Sequence, residues 1–339
     1  MKAIGYAQPH ALSAPVGLQD ITLPEPVATG HDLLVEVHAI SVNPVDTKVR
    51  ASADRSVGDG FKVLGYDAAG IVRAVGPEVT LFKPSDRVYY AGAIQRPGTN
   101  SELHLVDERI VGHMPKSLDF AQAAALPLTS ITAWELLFDR LGVQPGKKPN
   151  TKTLLVIGAA GGVGSVLIQL ARRLTGLTII ATASRPETQA WVESLGAHHV
   201  IDHRLPLTMG LASVGMSQVD MVISLTHTGE HLPQILEVLA PQGQLALIDD
   251  MPSLDIMPFK RKSISVHWEL MFTRALFNTP DMVAQHHLLN EVAQLVDASL
   301  VRTTLAHHAG GICAANLRHA HALIESGTTR GKVVLEGWN

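Results

Sequence analysis

The chain has 339 residues, roughly twice the ~150 that serve as a soft prior for one domain, and is 46% hydrophobic and 17% charged; this excludes intrinsic disorder and points to two domains with a sizeable core. A formal net charge of −4 offers no basic field for polyphosphates and argues against nucleic acid as a partner. The single cysteine, Cys313, excludes an internal disulfide framework and a cysteine-built zinc site, and fits a reducing compartment.

The start, Met1 to Tyr6 (MKAIGY), reads straight into strand-like sequence without the charged-then-apolar order of a secretory signal. No uncharged apolar run approaches the ~20 residues of a membrane-spanning helix, so the expectation is a cytoplasmic chain with no membrane partner. From Met1 to about Ala125 short apolar runs such as Leu33 to Ile40 and Ala69 to Gly76 are broken by Pro24, Pro26, Gly30, Pro44, Gly65, Pro77 and Pro84. That punctuation predicts a mainly β, barrel-like body with little room for long helices.

After Ala125 helical and buried-strand sequence alternate, the pattern of an α/β doubly wound parallel sheet. Six strands are predicted, at Thr153 to Gly158, Thr178 to Ala183, His199 to His203, Asp220 to Leu225, Gln244 to Asp249 and Ser263 to Trp268. Helical spacing follows from Pro280 to Ala298, and Val301 to Leu305 and Lys332 to Leu335 then return to strand-like sequence, which predicts that the tail rejoins the first domain.

The most specific local signal is Leu154 to Gly164 (LLVIGAAGGVG), a buried strand entering a glycine turn and leaving as the helical Ser165 to Arg172. Small residues at Gly161, Gly162, Val163 and Gly164 let the backbone approach a pyrophosphate, whose charge meets unpaired amides and the positive end of the helix dipole. The alternative is a packing turn with no ligand. An NAD-selective site offers a carboxylate at the end of the second strand, but Ala181 to Pro186 (ATASRP) has none. Ser184 can donate a hydrogen bond and Arg185 can pair with a phosphate, so the expected cofactor is NADP; a solvated loop charge is the plain reading of Arg185. His203, ending the third strand, can join the same pocket, and Thr226 and Ile248 end later strands where such sheets bind ligands.

Asn43 to Arg50 (NPVDTKVR), Gly65 to Val72 (GYDAAGIV), the glycine loop, Leu126 to Trp134 (LPLTSITAW) and Gly331 to Leu335 (GKVVL) together resemble the medium-chain dehydrogenase/reductase superfamily. Within it they are similar to the zinc-independent quinone oxidoreductase branch, also called zinc-type alcohol dehydrogenase-like. The resemblance covers essentially the whole chain. It implies a GroES-like catalytic domain over residues 1–125, an NADP-binding Rossmann domain over 126–272, and a return to the catalytic domain over 273–339, with the cofactor in the intervening cleft. It also implies a homodimer, formed by the sixth strand across a two-fold axis.

In the superfamily's zinc enzymes a Cys opens the first loop and a His follows the glycine of the second; here those positions hold Asn43 and Tyr66, so no metal is expected. Adjacent histidines such as His307 and His308 lack the spacing of a zinc helix and read as surface or capping residues. Without a Lewis acid, alkoxide chemistry lacks support, whereas a quinone or α,β-unsaturated carbonyl spreads incoming charge onto an oxygen that neutral donors can hold. By resemblance, Asn43 holds the substrate oxygen or the nicotinamide amide. Lys48 either donates to the oxyanion or points to solvent. Tyr66 either donates a hydrogen bond or proton, or is a barrel-wall aromatic, and Asp67 is structural, pairing with a neighbouring turn. Thr132 reaches the nicotinamide ring or ribose, or is an ordinary helix threonine. Lys332 is a further phosphate partner or a solvated charge. Trp268 to Phe272 lines the substrate opening or belongs to the core. The reading is an NADPH-dependent, metal-independent reductase of a small quinone or enone; its rivals are a zinc-dependent alcohol dehydrogenase and a non-catalytic NADPH-binding or sensor protein.

Overall fold

The strands Thr153–Ile157, Thr178–Thr182 and Val219–Ser224 are buried nearly throughout, which is why they read as largely apolar runs, and with Leu239–Leu247 and the more exposed His199–Ile201 and Ser265–Trp268 they make six strands in the middle of the chain, numbered in chain order. In the computed structural model, which describes residues 1–14, 17–52, 60–146 and 152–338, they form one parallel sheet. Its order is third, second, first, fourth, fifth, sixth strand. The order reverses beside Thr153–Ile157, which places a crevice at the carboxyl ends of that strand and its neighbour Val219–Ser224. Leu155, Ile157, Ile180, Val222, Leu245 and Leu247 from the sheet pack with Leu207, Leu211, Ile235 and Val238 from its helices.

These strands belong to one of two compact units, Thr132–Met271; the other comprises Met1–Ile131 and Phe272–Asn339. The second unit is mainly β. Its long strand Asp32–Val42 pairs antiparallel with Ala68–Val75, Leu103–Asp107 and the C-terminal Lys332–Glu336. Arg87–Tyr90 and Val111–His113 extend the sheet on one side and Leu305–His308 on the other. A smaller sheet joins Gln19–Thr22, Lys2–Tyr6 and Lys62–Val63. The last strand is therefore bonded to residues some 290 positions earlier, as in Val334 opposite Ser41.

The α/β class is the one that the alternation of strands and helices indicated. Three elements start more than two residues from where they were expected. The fifth strand begins at Leu239, five residues before Gln244, because a break at Gln242, with φ at 65°, separates two pieces that both pair with Val219–Ser224. The predicted helix is shorter, Ala284–Asp297. The tail strand lies at Leu305–His308 in place of Val301 to Leu305. Val301 is buried and Thr303 and Thr304 donate to the carbonyls of Gln122 and Ala125 at 2.7 and 3.1 Å, so this apolar stretch anchors an irregular segment.

Candidate functional site

The strand Thr153–Ile157 leaves the sheet through Gly158, whose φ of 78° is left-handed. A Cβ there would lie 2.9 Å from Thr226 Cγ2, so the turn and Thr226, two residues past the fourth strand, are in close contact. Gly161 then caps the helix Gly162–Leu174. A Cβ on Gly164 would sit 2.3 Å from the Ala159 carbonyl oxygen, so only glycine lets the helix close onto its own turn. The amides of Gly162, Val163 and Gly164 occupy the first helical turn, where no intrahelical carbonyl reaches them, at the positive end of the dipole. Ser165 Oγ steadies this end, donating to Gly161 O at 2.7 Å and accepting from Trp191 Nε1 at 2.9 Å.

At the end of the second strand Ser184 and Arg185 are half-buried, and Arg185 caps the helix Pro186–Leu195. Arg185 Nε lies 3.2 Å from Glu187 Oε1. A residue that sequence reasoning passed over joins them: Arg204 donates from Nη2 to Ser184 O at 2.9 Å and to Asp202 Oδ2 at 2.6 Å. The available signal was a basic side chain three residues past the third strand. His203, its neighbour, is half-buried with its ring centroid 6.4 Å from that of His231. Thr226 Oγ1 is 2.7 Å from His227 Nδ1. Ile248 is half-buried, and the next residue, Asp249, accepts from the Thr228 amide at 2.9 Å, capping the helix Thr228–Val238.

In the mainly β unit the sequence brings together Asn43, Tyr66, Asp67 and Lys332. Asn43 caps the helix Pro44–Ala51, and its amide N–H donates to Asp46 Oδ2 at 2.8 Å. Its side-chain Nδ2 donates to Asp67 Oδ2 at 2.8 Å, while Oδ1 accepts from the Lys332 ammonium. That ammonium also donates to Asp67 Oδ2 at 2.9 Å and Val42 O at 3.0 Å, so its three protons have three acceptors. Asp67 Oδ1 accepts from the Leu128 amide at 2.8 Å. Asn43, Asp67 and Lys332 are 2%, 0% and 3% exposed, which makes this an internal ionic cluster. Two expectations are thereby corrected. Lys332 is neither solvated nor available to a phosphate, because its donors are spent inside the unit. Asn43 turns its amide hydrogens inward and has a lone pair on Oδ1 to offer, so it can accept from a ligand but not donate to a substrate oxygen.

Burial pushes the Asp67 carboxyl up against the pull of Lys332, Asn43 and the Leu128 amide. Asp46, which also accepts from the Gly65 amide at 3.0 Å, is pushed up to about 7, chiefly by burial and against the Asn43 amide and Lys332. A carboxyl whose folded value exceeds the ordinary 3.8 stabilises the fold most below that value, and the contribution disappears as pH rises through 7. The advantage of the natural chain over Asp46→Asn in denaturant unfolding should therefore shrink by about 2 kcal/mol between pH 5 and pH 8. A constant gap across that range would refute the assignment.

Tyr66 is 1% exposed, and its ring centroid lies 5.3 Å from that of Phe272 in an edge-to-face arrangement. Lys48 is exposed on the helix after Asn43, and Thr132 is buried in the helix Pro127–Trp134. The segment after the sixth strand alternates: Glu269, Met271 and Phe272 are buried, whereas Trp268 and Leu270 are about half exposed. No helix among the described residues is long and apolar enough to cross a membrane.

Comparison with known proteins agrees with this construction. Residues 29–116 match the alcohol dehydrogenase GroES-like domain and residues 195–335 the zinc-binding dehydrogenase family. A zinc-type alcohol dehydrogenase-like protein of Staphylococcus aureus is 37% identical over 337 residues, 99% of each chain. A Rhizobium etli CFN 42 structure, provisionally described as a zinc-dependent alcohol dehydrogenase, is 59% identical with a TM-score of 0.95 over 100% of this chain and 98% of the other. The Escherichia coli quinone oxidoreductase, solved with NADPH, is 25% identical with a TM-score of 0.83 over 99% and 100% of the two chains. A GroES-like unit combined with a doubly wound, glycine-loop unit defines a class of oxidoreductases that bind a nicotinamide cofactor. The chain belongs to the medium-chain dehydrogenase/reductase superfamily.

Zinc, which some family names imply, does not suit the donors present. The two positions expected to supply thiolate and imidazole hold an amide, Asn43, and a phenol, Tyr66, and the adjacent carboxylate of Asp67 already carries the Lys332 ammonium. A divalent ion there would have to displace that ammonium. Among the described residues no three His, Cys, Asp or Glu side chains form a group able to hold a metal. A nicotinamide dinucleotide fits better, since the glycine turn and the first-turn amides leave backbone room and donors for a pyrophosphate.

Proposed function

We propose that the protein is an NADPH-dependent, metal-independent reductase that transfers hydride to a small quinone or α,β-unsaturated carbonyl. The observation that carries this reading is the Lys332 ammonium lodged between Asn43 and Asp67, a built-in cation where a metal centre would need thiolate and imidazole. The bound cofactor supplies the hydride. The amides of Gly162, Val163 and Gly164 hold its pyrophosphate, and Ser184, Arg185 and Arg204 receive the 2′-phosphate. Thr226 and Ile248 border the same strand ends, and Thr132 the nicotinamide end. With the acceptor already electron-poor, the chain has to orient it, exclude water and stabilise the oxygen that gains charge, for which Tyr66 and Lys48 are the donors and Asn43 an acceptor toward the carboxamide. The sixth strand, unpaired on its outer side among the described residues, ending in the half-exposed Trp268 and followed by the half-exposed Leu270, supports a two-fold dimer formed through that edge.

The test is NADPH oxidation by chelator-treated protein against a panel of quinones and enones. Acceptor-dependent turnover is the expected result. Tight NADPH binding without turnover would favour a binding protein, and alcohol oxidation restored by zinc would favour a metal dehydrogenase. Cofactor choice has its own expected outcome: Arg185→Glu weakens NADPH by about 1.5 to 3 kcal/mol in fluorescence titration, with NADH little changed. Equal losses for both cofactors would remove Arg185 from the phosphate site.

A further inference from the structure

The arginines at the ribose end each have a carboxylate already: Arg185 lies against Glu187 at 3.2 Å and Arg204 against Asp202 at 2.6 Å. The fixed charge of these four side chains is zero. A phosphate monoester carries close to two negative charges at neutral pH, so its arrival leaves the pocket short of a cation. The groups able to supply one lie on the same rim. His203 stands between Asp202 and Arg204 in the chain and packs its ring against His231, whose Nδ1 is buried with no hydrogen-bond partner among the described residues. His231 lies one turn from His227, its amide donating to the His227 carbonyl at 3.2 Å, and His227 is bonded to Thr226, which touches the Gly158 turn. A continuous set of neighbours thus runs from Ser184 through Arg204, His203, His231, His227 and Thr226 to the glycine turn, along the carboxyl ends of four adjacent strands.

Resting on the NADPH reading, we propose that His203, backed by His231 and His227, takes up a proton as a 2′-phosphorylated nucleotide binds, so that the site selects NADPH over NADH through a proton-linked contact to the phosphate. Burial, then His231, Arg204 and His227, hold His203 below the usual imidazole range, against the pull of Asp202. Burial and His227 do the same to His231, against Glu230. At pH 7.5, above the ordinary imidazole value of 6.5 from which both rings are pushed down, the neutral form is favoured, and the incoming dianion adds a charge that favours the imidazolium. The proton comes from solvent, and no bond to the nucleotide changes.

Calorimetric titration of the full chain with NADPH and with NADH at pH 7.5, in buffers of different ionisation enthalpy, reads the proton directly; at that pH the phosphate, with a pKa of about 6, is itself mostly deprotonated. The expected result is net proton uptake with NADPH, none with NADH, and loss of uptake in His203→Gln, which should bind NADPH roughly tenfold more weakly at pH 7. Preferential NADPH binding without uptake by the natural protein overturns the proposal and leaves the cofactor reading standing, a measurement that needs no variant. Uptake that persists undiminished in both His203→Gln and His231→Gln overturns it as well. Equal affinity for NADPH and NADH overturns the proposal together with the cofactor reading.

Discussion

Replacing Lys332 with methionine should lower the unfolding free energy by about 3 to 5 kcal/mol at pH 7, the loss typical of a buried ion pair stripped of one partner. The reason lies in what the substitution leaves behind. Asp67 would keep the Asn43 and Leu128 donors but lose the charge that offsets its desolvation, and Asn43 Oδ1 and Val42 O would lose their donor. Because the abandoned carboxylate can recover by taking a proton, the loss should be smaller at pH 5 than at pH 8. The double variant Lys332→Met with Asp67→Asn should regain part of the stability, since a neutral pair needs no counter-ion, and the two changes should be strongly non-additive. Chemical denaturation of the four chains supplies the cycle. A loss below about 1 kcal/mol for Lys332→Met, or simple additivity, would show that the ammonium is not what holds the terminal strand's cluster together.

The same cluster explains what could and could not be read from the sequence. The doubly wound sheet was legible because each of its inner strands is buried on both faces, which forces runs such as Leu154 to Ile157 to be apolar throughout. The glycine turn was legible for a related reason: Gly158 and Gly164 stand where a side chain collides with Thr226 or with backbone, so composition records geometry directly. Leu305–His308 was displaced by a few residues because an edge strand with two exposed or half-exposed histidines has no apolar alternation to betray it. The partners of Lys332 lie 265 and 289 positions away, and nothing local in Gly331 to Leu335 says that a lysine in a strand is buried. Arg204 was missed for a shorter-range version of the same problem, since its contact with Ser184 depends on how two neighbouring strands end. Asn43 was located through resemblance, but the direction of its amide was set by Asp67, which a single chain read in order does not reveal.

The glycine loop offers a contrast of two single-carbon changes with opposite outcomes. Gly164→Ala should destabilise the unit by roughly 2 to 3 kcal/mol, because the added carbon would lie 2.3 Å from the Ala159 oxygen and 2.6 Å from its carbonyl carbon. Backbone cannot rotate out of the way as a side chain can. Relief requires the helix Gly162–Leu174 to shift away from the turn, moving the amides of Gly162 and Val163 off the position from which they would meet a pyrophosphate. Gly161→Ala is the control. Its φ of −71° suits any residue and its added carbon would meet only Gly158 O, at an ordinary 3.5 Å, so its stability should stay within about 0.5 kcal/mol of the parent. Thermal and denaturant unfolding without nucleotide separates the two, and titration with NADPH then tests the consequence for binding. In Gly164→Ala nucleotide affinity and stability fall together, because one displaced helix causes both. A Gly164→Ala protein as stable as the Gly161→Ala one would mean that the turn yields where the geometry says it is closed, and the close approach of strand, turn and helix would then not be what forms the phosphate site.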